Sequence, residues 1–84
     1  GEYDKATEYV YQALQLFEKI PDVKGVGNCY QTLGSIHRQR DDFEKSKEFY
    51  GKAIEVYQKI NNEKDMAGTL NSLGVLHISF YKFD

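Results

Sequence analysis

The sequence predicts an all-α fold of about four helices, joined as antiparallel helix-turn-helix repeats and stacked as an α-solenoid. Three observations lead there. The chain repeats itself at a fixed spacing. Its apolar side chains recur at steps of three and four, with no alternation of period two. Short turn signals separate the apolar stripes.

Sliding residues 1–40 over 41–80 pairs nine identities: Lys5/Lys45, Glu8/Glu48, Ala13/Ala53, Lys19/Lys59, Ile20/Ile60, Lys24/Lys64, Leu33/Leu73, Gly34/Gly74 and His37/His77. Ordinary composition would give roughly two or three. Tyr3, Phe43 and Phe83 open successive periods, so the chain holds two periods and the first residues of a third.

The first helix is expected over 3–20, with Tyr3, Ala6, Tyr9, Val10, Ala13, Leu14, Phe17 and Ile20 on one stripe. Pro21-Asp22 stops it, and Asp22 is the candidate N-cap of a second helix over 23–39, marked by Val23, Val26, Tyr30, Leu33, Ile36 and His37. Asp42 can cap a third helix over 42–60, whose stripe repeats the first through Phe43, Phe49, Tyr50, Ala53, Ile54, Tyr57 and Ile60. Glu44 suits its positive end. Asn61-Asn62 restarts the chain into a fourth helix over 63–80, through Met66, Leu70, Leu73, Leu76, His77 and Phe80. Connections this short make neighbouring helices antiparallel.

Composition narrows the function classes. Of 84 residues, 40% are hydrophobic and 29% charged, a globular balance, and no apolar run approaches the length of a membrane span. Thirteen acidic side chains against eleven basic ones give a net charge of −2. A surface made to neutralise phosphates would be strongly basic, so nucleic acid is disfavoured as a partner. One cysteine permits no internal disulfide and fits a reducing, cytoplasmic setting.

His37 and His77 share one repeat position, and Cys29 lies on the helix of His37. Eight residues of helix separate Cys29 from His37 by about 12 Å, too far for one metal ion. Packing is the plainer reading of both histidines, ahead of a pH-sensitive role, and Cys29 reads as a small buried apolar residue. The sequence has no nucleophile–base pattern, no Gly-rich phosphate loop and no HExxH pair. No catalytic residue, metal or cofactor is expected. The aromatic residues mostly fall on the apolar stripes; Tyr11 falls off them and is the best exposed candidate. Glu44–Lys47 reads as a solvated face.

Residues 26–60 carry Leu33-Gly34, His37, the turn Asp42-Phe43-Glu44-Lys45, then Tyr50 and Ala53. In this order they resemble a tetratricopeptide repeat of the longer, roughly 40-residue kind. Leu73-Gly74 and His77 resemble the first helix of a further repeat; Tyr3, Ala6 and Ala13 resemble the second helix of an earlier one. The expected organisation is therefore 1–20 as a second helix, 23–60 as a full repeat, and 63–84 as a first helix with the start of a turn. WD40 repeats need strands, and HEAT and armadillo units lack this residue pair. Gly34 and Gly74 are expected where helices cross closely, met by Ala13 and Ala53. Tyr3, Phe43 and Phe83 are expected to plug the corners between helices. Two departures stand out: Ser46 replaces the usual Ala, and Asp41 the usual turn Gly. Tyr81-Lys82 carries no turn signal, so the last helix is expected to run straight on.

The resemblance implies a non-enzymatic protein-interaction scaffold, with the first helix of each pair lining a concave face. Asn28, Gln31, Ser35 and Arg38, then Asn71, Val75 and Ile78, are the residues expected to meet a peptide or helix there. The cationic clamp that some members use for a carboxylate would need Lys or Arg at Gln31, Ser35, Asn71 or Val75, so chaperone C-termini are disfavoured. An alternative is a peptide-sensing regulatory module attached to an effector domain outside this stretch. Opening on a lone second helix and stopping within a turn, the stretch reads as part of a longer array. It is expected to self-associate through its end helices, by Tyr9, Leu16 and Phe17 at one end and Leu76, Phe80 and Phe83 at the other.

Overall fold

The computed structural model describes residues 2–19 and 22–82, with side chains described through Ile78. Four α-helices follow one another: α1 (Glu2–Lys19), α2 (Val23–Gln39), α3 (Phe43–Lys59) and α4 (Glu63–Lys82). No strand occurs among the described residues. The helix α4 continues through Tyr81, as the missing turn signal predicts. Pro21, Ile20 and Phe83 lie outside the described residues.

The expected caps form. Asp22 Oδ1 accepts the Gly25 N–H at 2.9 Å, Asp42 Oδ1 accepts that of Lys45 at 3.3 Å, and Asn62 Oδ1 accepts that of Asp65 at 3.2 Å. Each satisfies a donor the first helical turn leaves open. The two turns after α2 and α3 are built alike. Asp41 and Asn61 take left-handed φ values of 62° and 56°. Asp42 N–H then reaches the His37 carbonyl at 2.8 Å, and Asn62 N–H that of Tyr57 at 2.9 Å. This is the Schellman closure, and short polar side chains stand in for its usual glycine.

The core lies chiefly between α2 and α3, which share a far larger interface than either shares with its outer neighbour. Leu33, Tyr50, Ala53 and Tyr57 are wholly buried. Two glycines of α2 admit the tyrosine rings. A Cβ on Gly34 would stand 2.6 Å from Tyr50 Cδ1, and one on Gly27 2.8 Å from Tyr57 Cε1. No side chain fits at such separations, so the helices approach through bare backbone. Ser46 has its reason here too: its buried hydroxyl donates to the Gly34 carbonyl at 2.7 Å, a bond alanine cannot make.

Three expectations are corrected. Gly74 is not at a crossing: a Cβ there would meet nothing within 4 Å, because none of the four helices crosses α4 at that point. Leu76 is not exposed. It is 3% accessible, and with buried Thr69 it forms the side of α4 that packs on α3. Among the described residues of α4, the large exposed apolar ones are instead Leu70, Val75 and Ile78. Tyr3 plugs no corner, being 43% exposed, whereas Phe43 is half-buried.

Candidate functional site

On α2, Lys24, Asn28, Gln31, Ser35 and Arg38 follow one another at three- and four-residue steps, away from the buried Leu33 and His37. They form a single outward stripe. Asn28 is exposed, and Gln31, Ser35 and Arg38 are half-exposed. On α4, Asn71, Val75 and Ile78 form the corresponding stripe, and all three are exposed, Ile78 by 70%. The two helices come together near their N-termini, where Lys24 Nζ stands 4.0 Å from Asp65 Oδ2.

The polar members of the α2 stripe are tied down from below. Tyr57 donates its hydroxyl to Asn28 Oδ1 at 2.5 Å, with Gln31 Oε1 also in reach at 3.3 Å. The hydroxyls of Tyr50 and Ser35 share a hydrogen bond of 3.0 Å. Both tyrosines are wholly buried, and their hydroxyls meet the stripe residues from beneath. Burial, aided by the nearby Asp65 carboxylate, pushes the Tyr57 phenol up to about 12, so it remains a donor at neutral pH. With its oxygen held by the single Tyr57 proton, the Asn28 amide keeps its NH2 group for a ligand, and Gln31, its oxygen within reach of the same hydroxyl, lies beside it.

Tyr50 and Tyr57, which the apolar pattern alone assigns to the core, also hold stripe residues through their hydroxyls. A signal for them exists in the sequence. Gly27 and Gly34 are seven apart, as are Tyr50 and Tyr57, and antiparallel helices bring such spacings into register.

His37 is a packed residue. Its ring stacks on Phe49 at 5.4 Å between centroids and 6° between planes, and Tyr30 stacks on the same Phe49 at 6.2 Å. Lys52 Nζ lies over Phe49 and Tyr30 at 5.4 and 5.6 Å. Burial lowers the His37 pKa below 6.5. Asp42, 3.9 Å away, opposes that shift, while Lys45 and Arg40 add to it. His37 Nε2 is buried without a hydrogen-bond partner. His77 occupies the same repeat position and is exposed.

Cys29 is buried, and burial first, then Asp22, pushes its thiol up, the reverse of an activated nucleophile. No three His, Cys, Asp or Glu side chains converge as metal ligands among the described residues. No helix among them is long and apolar enough to cross a membrane. Glu44, Lys45, Lys47 and Glu48 are exposed on α3, forming the solvated face expected.

Compared with known families, residues 1–59 match the tetratricopeptide repeat. No curated protein and no solved structure matches the chain.

Proposed function

Because the chain belongs to the tetratricopeptide repeat family, whose repeats mediate protein–protein interaction and are typically non-enzymatic, we propose that it is a scaffold binding an extended peptide or a helix along the α2 and α4 stripes. In this reading α1 is the second helix of one repeat, α2 and α3 a full repeat, and α4 the first helix of the next. The observation that carries it is the hydroxyl of Tyr57 beneath Asn28 and Gln31. It orients the Asn28 amide, beside that of Gln31, so that NH2 groups suit the backbone carbonyls of a peptide. Asn71 adds a third amide, Ser35 and Arg38 polar contacts, and Val75 and Ile78 apolar ones for alternate ligand side chains. Partners are protein rather than nucleic acid, in keeping with the net charge of −2.

A displayed library of random peptides tests it. Peptides enriched on the chain should lose affinity by about tenfold in each of Asn28→Ala, Gln31→Ala and Asn71→Ala, the effect of one lost hydrogen bond in a desolvated site. Failure to enrich any peptide, or equal affinity for the triple variant, would overturn the reading.

A further inference from the structure

Charge is sorted by helix. From Val23 to Gln39, α2 holds Lys24 and Arg38 and no carboxylate. On α4 the carboxylates end with Asp65, in the first turn. The other acidic side chains of the helices stand on α1 and α3, as Glu8, Glu18, Glu48 and Glu55 do. A chain of net charge −2 thus turns a cationic stripe outward. That stripe is not bare for want of a neighbour, because α1 packs on one side of α2 and α3 on the other. Val75 and Ile78 have the repeat positions of Ser35 and Arg38, so they share its outward side.

Both cations of α2 are open to a ligand. Arg38 has no ion-pair partner among the described residues, whereas Arg40, two residues on, reaches Asp4 Oδ1 at 3.4 Å. Lys24 Nζ stands 4.0 Å from Asp65 Oδ2, which the Asn62 amide already engages at 2.7 Å. An exposed pair at that distance holds a lysine weakly. Lys64 has the repeat position of Lys24 on α4 and is exposed. Fourteen residues of helix set Lys24 and Arg38 about 21 Å apart, at about 1.5 Å per residue. An extended chain covers that span in about six residues. Between the two cations lie Asn28, Gln31 and Ser35, polar but uncharged. The Asn28 NH2 suits a backbone carbonyl, which an extended chain offers throughout and a helix only in its last turn.

We propose, resting on the scaffold reading above, that the ligand of this face is an extended acidic peptide with two side-chain carboxylates about six residues apart. One carboxylate meets Lys24 and Lys64, the other Arg38. An apolar residue beside the second lies against Val75 and Ile78. The carboxylates belong to Asp or Glu within a chain, since Gln31 and Ser35, midway along the stripe, offer no cation to a chain terminus. Cations only at the two ends of a run of neutral side chains do not match a nucleic acid, which bears a charge at every phosphate.

The displayed peptide library, screened against the wild-type chain and against Lys24→Glu and Arg38→Glu, reads the charge of the ligand. Peptides enriched on the wild type should carry Asp or Glu about fivefold more often than the library does, at two positions about six apart. Their affinity should fall as salt rises. Each variant should bind them about tenfold more weakly and should select Lys or Arg at one of the two positions, a different one for each variant. Both substitutions are at the surface, and far-UV circular dichroism checks that the variants fold. Enriched peptides with no acidic preference, or an unchanged preference in either variant, would overturn this inference and leave the scaffold reading in place. A wild-type chain that enriches no peptide would overturn both. Oligothymidylate bound more tightly than the acidic peptides would overturn the inference by showing that the face takes phosphate.

Discussion

Helices α2 and α4 carry the same residues at three repeat positions, Leu33/Leu73, Gly34/Gly74 and His37/His77, and put them to different use. On α2 all three are buried against α3. On α4 the leucine is half-exposed, and the glycine and histidine are exposed. Identical side chains one period apart thus contribute differently, because a residue's energetic role comes from the helix that covers it. Twin substitutions at these positions turn the comparison into measurements.

The largest difference is expected at the leucines. Leu33→Ala empties a wholly buried site and should cost about 2–5 kcal/mol, whereas Leu73→Ala should cost clearly less. Urea unfolding of dilute, monomeric protein separates the two. Equal losses would mean that α4 is as well covered as α2.

Beneath the stripe, Tyr57→Phe keeps the ring and deletes the hydroxyl that orients Asn28 and Gln31. We expect about 1 kcal/mol of lost stability, with a loss of peptide affinity although Tyr57 itself lies below the surface. Unchanged peptide binding in this variant would separate the hydroxyl from the site.

The histidines bring in pH. Folding lowers the His37 pKa below 6.5, so the unfolded chain binds the proton more readily. The stability due to the neutral ring is complete above pH 6.5. It is lost as pH falls from there through the lower folded-state value. His37→Phe preserves the stack on Phe49 and removes the unpartnered Nε2. It should flatten this acid limb and add about 1 kcal/mol at its foot. Melts from pH 7 to pH 5 decide it; an unchanged limb would place its origin elsewhere.

The four helices and their caps at Asp22, Asp42 and Asn62 were legible in the sequence, because each rests on local chemistry: period, and Asp or Asn at a helix start. The tetratricopeptide resemblance, rather than a local signal, put Asn28, Gln31, Ser35 and Arg38 on one face, and the structure has them on one stripe of α2. Gly74, Leu76 and the two tyrosine hydroxyls were not legible. Periodicity says that a residue is apolar and on which side of its own helix it lies. It does not say which neighbour covers that side. Gly34 and Gly74 are the same letter in the same motif, yet only Gly34 has a Tyr50 against it. Tyr50 and Tyr57 read as core because they are core; which stripe residue each hydroxyl meets depends on the register of two helices.

The most direct test of this account uses the smallest change, Gly34→Ala beside Gly74→Ala, measured by thermal melts of the dilute monomer. At Gly34 the added methyl runs into the Tyr50 ring, held in a wholly buried site, and should cost about 1–3 kcal/mol. At Gly74 nothing lies within 4 Å, and relief of the mid-helix glycine should raise stability by up to about 1 kcal/mol. Opposite signs are the predicted result. Two shifts of the same sign would contradict the account, showing that α2 and α4 meet the same surroundings after all.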